Sequence, residues 1–262
     1  MTAIPGSKFE RGTVEVFGYQ IPYAQAGNGE VIVSLPGSAG LEMSTAKDVL
    51  AESHRVIELD PPGWGETPEI AGEMQQRHLA IILAEAIAEL GIDRYHLIGT
   101  SLGGNNSLWL AFQFPQRVAT MTLEGPMLFC PPEDLVNPFD IVAAVKGGMA
   151  YDENAMPAPP PHPNKPWSTA EYFHEQMRRR FRMMKYLRHP EDDGPLREFA
   201  GSTDIPTMLL LGTADELLKE SYAQTFAEVM PSAAIRVIEG AGHDIQNTAP
   251  EAFVEAVSGL IA

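Results

Sequence analysis

The sequence predicts an α/β fold: a mostly parallel eight-stranded sheet with helices on both faces, interrupted once by a small helical insertion after the sixth strand. Three observations carry this reading. Short apolar runs alternate with helix-compatible stretches at both ends of the chain, the pattern of a parallel sheet with crossover helices. Several of the apolar runs close in loops too rich in glycine and proline for regular structure, which lets the backbone come close to something at the strand's carboxyl end. One such loop is Gly99-Thr100-Ser101-Leu102-Gly103, where an apolar run passes at once into a helical one and leaves a serine at a sharp turn.

Taken in order, Thr13 to Phe17 and Gln20 to Gln25 read as two short strands about the tight turn Gly18-Tyr19. Val31 to Leu35 is a continuous apolar run, as expected of a strand covered on both faces, and it ends in Pro36-Gly37-Ser38-Ala39-Gly40. Glu42 to Ser53 is compatible with a helix, Arg55 to Asp60 with a strand, and a rigid loop runs from Pro61 to Pro68. Between Glu73 and Leu90 the residues Leu79, Ile82, Leu83, Ala86, Ile87 and Leu90 form a stripe at helical spacing that stops at Gly91. Strand Tyr95 to Ile98, the serine turn and helix Leu102 to Phe114 follow, and Pro115 ends that helix. Val118 to Leu123 is the next strand and closes in Glu124-Gly125-Pro126.

The alternation fails from 127 to 203, which divides the chain into a core of 1–126 and 204–262 and an inserted lid. The insertion holds the proline-rich stretch Met156 to Pro163, which must run extended, and a helix announced by the capping-box pattern Ser168-Thr169-Ala170-Glu171. On that helix Phe173, Met177, Phe181, Met184 and Leu187 or Arg188 fall on successive turns, opposite a basic face. The core pattern returns with strand Thr207 to Leu211, Gly212-Thr213-Ala214-Asp215, helix Glu216 to Met230, strand Ala234 to Ile238, Gly240-Ala241-Gly242-His243 and helix Pro250 to Ile261.

A chain of 262 residues with 44% hydrophobic and 20% charged residues has the composition of an ordinary globular domain. Its 18 basic against 35 acidic residues, net −17, repel nucleic acid and anionic membranes, so a small-molecule substrate is the expected partner. The single cysteine, Cys130, rules out an intramolecular disulfide. The first twelve residues lack a signal-peptide core and no apolar run is long enough to span a membrane, so a cytoplasmic protein, monomer or homodimer, is expected. Asn105-Asn106-Ser107 is formally a glycosylation sequon but falls in the helix behind the serine turn. No cluster with metal-ligand spacing, phosphate-cradling glycine loop or cofactor lysine motif stands out, so neither metal nor cofactor is expected.

A serine hydroxyl is a poor nucleophile until a base takes its proton, and the base must be held in the right tautomer by a carboxylate. Ser101, His243 and Asp215 supply these roles, each just after its own strand, with room for one helix and one strand between the acid and the base. Glu124, which ends the strand after helix Leu102 to Phe114, is a second carboxylate at a strand end.

With these residues the chain resembles the α/β-hydrolase superfamily over nearly its whole length. The matching stretches are Pro36-Gly37-Ser38-Ala39-Gly40, Asp60-Pro61-Pro62-Gly63-Trp64-Gly65, Gly99 to Gly103, Gly212 to Asp215 and Gly240 to His243. The resemblance implies an oxyanion hole made by the backbone N–H groups of Ser38 and Leu102, each donor contributing about 3 kcal/mol. It also implies Glu124 as the alternative acid. The family commonly has His-Gly where this chain has Pro36-Gly37, which removes the histidine's packing role but leaves a backbone donor intact.

The expected activity is that of a serine hydrolase cleaving a small or medium ester or lactone through an acyl-enzyme on Ser101. C–C hydrolysis of a β-diketone-type or dienoate ring-cleavage product is the alternative, and a catalytically silent ligand-binding relative is the rival from another class. Substrate contacts are expected from Gly37 and from an apolar roof including Met127, Phe129, Met177 and Phe181. The basic run Arg178 to Arg188 is either a solvated helix face or the source of an arginine that holds a substrate carboxylate.

Overall fold

The strands are β1 (Glu10–Val16), β2 (Tyr19–Ala26), β3 (Val31–Leu35), β4 (Arg55–Leu59), β5 (Tyr95–Thr100), β6 (Val118–Glu124), β7 (Thr207–Gly212) and β8 (Ala234–Ile238). They form one eight-stranded sheet in the order β1-β2-β4-β3-β5-β6-β7-β8, in a computed structural model describing residues 4–137, 140–160, 162–187 and 193–262. β2 pairs antiparallel with β1 and with β4; every other pairing is parallel. Phe17 and Gly18 both take positive φ, 51° and 81°, which gives the β1–β2 hairpin the backbone twist that a two-residue turn between right-twisted strands requires.

β3 lies between β4 and β5, so the chain first moves outward to β4 and then returns to the other side of β3. That reversal opens a crevice at the carboxyl ends of β3 and β5, where ligands of open α/β sheets bind. The loop after Leu35 and the turn at Ser101 both lie there.

One face of the sheet is covered by α1 (Thr45–Leu50), α8 (Ile245–Thr248) and α9 (Pro250–Ile261), whose Ala46, Leu50, Ile245, Phe253 and Val257 pack on Ile32, Val56, Ile98 and Leu210. The other is covered by α2 (Gln76–Glu89), α3 (Leu102–Gln113), α6 (Gly194–Ser202) and α7 (Tyr222–Val229), which bring Leu83, Ile87, Leu108, Leu196 and Phe226 against Val33, Leu97, Leu123 and Leu209. Burying each such side chain contributes about 1.5–3 kcal/mol. β3 and β5 sit between these layers, which is why their apolar runs do not alternate.

Helix ends differ from the sequence pattern where side chains compete for the backbone. α1 starts at Thr45 rather than Glu42 because Ser44 caps it, accepting from Lys47 N at 3.1 Å, while the Glu42 N–H is taken by Glu58 Oε1 at 2.6 Å. α7 starts at Tyr222 rather than Glu216 because the Asp215 carboxylate accepts the Leu217 and Leu218 N–H groups at 2.8 and 3.0 Å and holds that stretch in a turn.

Residues 127–203, between β6 and β7, contribute α4 (Ile141–Lys146), α5 (Ala170–Met184) and α6. Thr169, one residue later than the capping-box reading places it, caps α5 by accepting from Tyr172 N at 3.2 Å. The apolar face of α5 does pack inward: Phe181, Met183 and Met184 are buried with Trp64 and Leu79, and Met177 and Leu102 adjoin them. α6, which falls before residue 204, packs on α3 of the core, with the Phe112 and Phe199 rings 5.6 Å apart edge to face. Arg188 lies outside the described residues. Among the described residues no helix is long and apolar enough to cross a membrane.

Candidate active site

Ser101 takes φ 52° and ψ −120°, a conformation that is costly for any residue with a side chain. Its neighbours show why they lack one. A Cβ on Gly103 would lie 2.1 Å from the Leu35 carbonyl oxygen, and one on Gly99 would lie 2.3 Å from Ser107 Oγ. The turn is held from both sides, by Ser101 N–H donating to Glu124 O at 2.8 Å and by Gly104 N–H donating to Ser101 O at 2.9 Å. Gly37 stands against the serine: a Cβ there would be 3.6 Å from Ser101 Cβ.

His243 arrives from the far side of the same edge. β6 ends in Glu124, and Gly125 turns with φ 50°, bringing its α-carbon so close to His243 that a Cβ would fall 2.8 Å from Cε1 and 3.0 Å from Nδ1. His243 Nδ1 is 2.8 Å from Asp215 Oδ2, and the other Asp215 oxygen is occupied by Leu217 and Leu218 N–H. Asp215 therefore fixes the tautomer with the proton on Nδ1 and leaves Nε2 as the acceptor. Nε2 is buried and has no hydrogen-bond partner among the described residues; in this conformation it forms no bond to Ser101 Oγ.

The electrostatics match that arrangement. Burial by itself pushes His243 down, but the hydrogen bond and charge of Asp215, with Glu216 and Glu124 behind it, outweigh burial and hold the imidazole above its ordinary value of 6.5. Burial likewise opposes ionisation of Asp215, and His243 together with the Leu217 and Leu218 N–H groups brings it below 3.8.

Glu124, the alternative acid, does not contact His243 through its carboxylate. Its oxygens are taken by the Thr100 hydroxyl at 2.7 Å, by Gln246 N–H at 2.8 Å and by Gln246 Nε2 at 3.2 Å. The geometry thus pairs the imidazole with Asp215.

The loop after β3 is clamped at its far end. Asp60 accepts the Leu41 and Glu66 N–H groups, and Glu58 accepts the Glu42 N–H. Gly40 is forced by this closeness, since a Cβ would lie 2.3 Å from Gly65 Cα. Within the described residues neither the Ser38 nor the Leu102 N–H has a protein acceptor, which leaves both able to donate to a bound oxygen.

Of the expected roof residues, Met177 and Phe181 come together with Leu102 and Trp64. Met127 is half-buried against the main core cluster. Phe129 departs from the expectation: it turns into that core with φ 63°, is 5% exposed, and carries the Arg197 guanidinium 4.6 Å over its ring, so its surface is consumed by packing. A cavity of about 560 Å³ opens between α5 and residues 148–153, lined by Met149, Tyr151, Glu153, Arg178, Phe181 and Lys185, but neither Ser101 nor His243 reaches it.

Sequence patterning missed what ties the insertion down. Lys165 Nζ donates to Glu42 Oε1 at 2.9 Å and to Asp244 Oδ2 at 2.6 Å, and the Tyr172 hydroxyl donates to Glu42 Oε1 at 2.6 Å. One lysine thereby joins the chain just beyond the glycine-rich loop after β3 to the residue after His243. Burial opposes ionisation of Glu42, but Lys165 and Tyr172 outweigh it and hold the carboxyl low. A lysine in a proline-rich loop has no periodic signature, so only its partners reveal it.

A family profile described as the alpha/beta hydrolase fold matches residues 31–250. The chain is 38% identical over 93 residues to a 2-hydroxy-6-oxononadienedioate/2-hydroxy-6-oxononatrienedioate hydrolase of Klebsiella pneumoniae, and the match spans 34% of this chain and only 32% of that protein's length. Among solved structures, an esterase from Rhodococcus sp. ECU1013 superposes with a TM-score of 0.75 at 23% identity, covering 97% of this chain and 98% of that one. A meta-cleavage product hydrolase from Pseudomonas fluorescens IP01 superposes with a TM-score of 0.73 at 17% identity, covering 95% of this chain and 97% of that one. Those two likenesses are of fold. The profile match spans most of the sheet and its loops, and the chain belongs to the α/β-hydrolase fold family.

Proposed function

We propose that this protein is a serine hydrolase that cleaves a small or medium carboxylic ester or lactone through an acyl-enzyme on Ser101. The observation that carries the reading is the 2.8 Å His243 Nδ1–Asp215 Oδ2 hydrogen bond at the strand edge that also holds the strained Ser101 turn. His243 Nε2 takes the Ser101 hydroxyl proton as Oγ bonds to the substrate carbonyl carbon, and the oxygen that becomes negative is met by the Ser38 and Leu102 N–H groups. Collapse expels the alkoxide, which receives the proton from His243, and water activated by the same nitrogen hydrolyses the ester on Ser101. Because the nucleophile is a serine, chemistry that needs an alkyl ester on a carboxylate is disfavoured.

A second reading, hydrolysis of a C–C bond in a dienoate or β-diketone, draws on the names of the Klebsiella relative and the Pseudomonas structure. The test is a panel of p-nitrophenyl esters, lactones and dienoates turned over by the wild type and by Ser101→Ala. Ester or lactone turnover lost in the variant is the expected result. Loss of a dienoate's absorbance with inert esters transfers the assignment to the second reading, and turnover that survives Ser101→Ala sinks both.

The basic face of α5 narrows the acyl group. Arg178 and Arg179 pair with Glu153, Glu175 and Glu66, and Arg182 donates to the Gly65 and Trp64 carbonyls. Arg180 makes no ion pair of that kind among the described residues: its Nε is buried without a hydrogen-bond partner, Nη1 lies 3.7 Å from the Met177 sulfur, and its charge acts on Glu42 and Tyr172 from a distance. Arg180→Ala should raise KM about tenfold for an ester bearing a carboxylate and leave KM for its neutral analogue unchanged. Equal effects on both substrates would discard a carboxylate contact for Arg180.

A further inference from the structure

Glu124 is 0% exposed, ionisable and unused by the hydrolytic steps above. Its surroundings are specific. Thr100, directly before the nucleophile, stands opposite Glu124 in the parallel β5–β6 register and donates its hydroxyl to Oε2 at 2.7 Å. Gln246, three residues after His243, donates its backbone N–H to Oε1 at 2.8 Å and its side-chain amide to Oε2 at 3.2 Å, with the same amide 3.3 Å from Thr100 Oγ1. The Glu124 carbonyl accepts the Ser101 N–H, and the next residue, Gly125, lies against the imidazole. One residue therefore meets the nucleophile turn and the histidine loop through its side chain and its main chain together.

We propose that Glu124 is a positioning residue for the hydrolytic site: its carboxylate ties Thr100 of the serine turn to Gln246 of the histidine loop and so sets Ser101 against His243. This rests on Ser101, His243 and Asp215 acting as proposed above, and it gives Glu124 a task separate from that of Asp215. The chemistry asks for an ionised carboxylate, because all three partners are placed as donors to its two oxygens. Protonation puts a hydrogen among these donors and removes the negative charge, so the three charge-assisted bonds weaken.

The charged groups facing Glu124 are Asp244 from the histidine loop, Lys47 from α1 and His243 itself; Thr100 and Gln246 are neutral. Burial and then Asp244 push the carboxyl up to about 7, against the Thr100 and Gln246 hydrogen bonds and Lys47. Glu124 and His243 are thus both held above their ordinary values, and both must lose a proton before the site is active. The acid limb of the kcat/KM profile is expected to fall more steeply than a single ionisation allows.

The experiment compares pH profiles of the full-length wild type, Glu124→Gln, Thr100→Val and Thr100→Ser on whichever substrate the panel identifies. Glu124→Gln should lower kcat about 10- to 100-fold, keep KM within about twofold and reduce the acid limb to one proton. Thr100→Val should fall in the same direction, and Thr100→Ser, which keeps the hydroxyl, should restore activity. A Glu124→Gln enzyme with wild-type kcat and an unchanged limb overturns the proposal, as does a Thr100→Ser enzyme no better than Thr100→Val. If Glu124→Gln does not fold, the Thr100 pair decides. An inactive Ser101→Ala beside a wild-type-like Glu124→Gln removes this proposal alone; an active Ser101→Ala removes the reading beneath it.

Discussion

Asp215→Asn is expected to lower turnover by about four orders of magnitude, the scale found when a triad carboxylate becomes an amide and the imidazole loses its tautomer. Here the cause is visible in the partners: Asp215 Oδ1 is committed to Leu217 and Leu218 N–H, so Oδ2 alone faces His243. An amide that keeps its oxygen on those two donors must present its NH2 to Nδ1, which puts the proton on Nε2, the nitrogen that has to accept from Ser101. Glu124→Gln, which leaves that contact intact, should cost far less. The reverse order of effects would move the acid role to Glu124.

The same pair sets a pH signature. With Asp215 present the imidazole is held above 6.5, so the base becomes available only as pH rises through that elevated value, and the acid limb lies above 6.5. Without Asp215 burial prevails and the limb of the residual activity should move downward. Stability follows by linkage: the raised His243 stabilises the fold fully below 6.5 and loses that contribution as pH climbs through its folded value. The depressed Asp215 stabilises above 3.8 and loses its contribution as pH falls through a folded value lower still. Urea titrations at several pH values, compared between wild type and Asp215→Asn, would reveal both.

Lys47→Met is expected to destabilise the protein by about 3–5 kcal/mol, because it strands a buried carboxylate. Lys47 and Glu58 are 1% and 0% exposed and in direct contact. Glu58 also accepts from Ser34 Oγ at 2.9 Å and from the Glu42 N–H, while Lys47 Nζ donates to Glu42 O at 2.8 Å. For a chain of this size the loss corresponds to a fall in Tm of about 10 °C, readable by calorimetry. Replacing both partners by methionine should recover only part of it, since Ser34 and the Glu42 N–H would then lack an acceptor. A single variant as stable as the wild type would mean that solvent reaches the pair.

Much of this site was legible in the chain. The apolar runs that became β3 to β7 announce a parallel sheet because both their faces are covered, and Gly99 and Gly103 announce the Ser101 turn because a Cβ there would meet backbone or side-chain atoms within 2.3 Å. The order of Ser101, Asp215 and His243 is equally a sequence property, since each follows its own strand. Buried ionic contacts were illegible: Lys47 looks like any solvated helix lysine and Lys165 like any loop lysine, and each acquires meaning only from carboxylates distant in sequence.

The sequence by itself determined which residues reach the carboxyl edge of the sheet, because alternation of apolar runs and glycine-rich turns dictates where each strand stops. Only the tertiary structure decided which carboxylate meets the imidazole. Asp215 and Glu124 both end or follow a strand on that edge, and the Gly212 to Asp215 pattern favours Asp215 without excluding Glu124. The positive φ of Gly125 places the histidine ring against β6, Asp215 Oδ2 reaches Nδ1 from beyond β7, and Thr100 and Gln246 have already claimed Glu124. Hydrogen-bonding groups brought together from four separate strand ends made that choice, and groups so far apart in the chain meet only when the sheet is assembled.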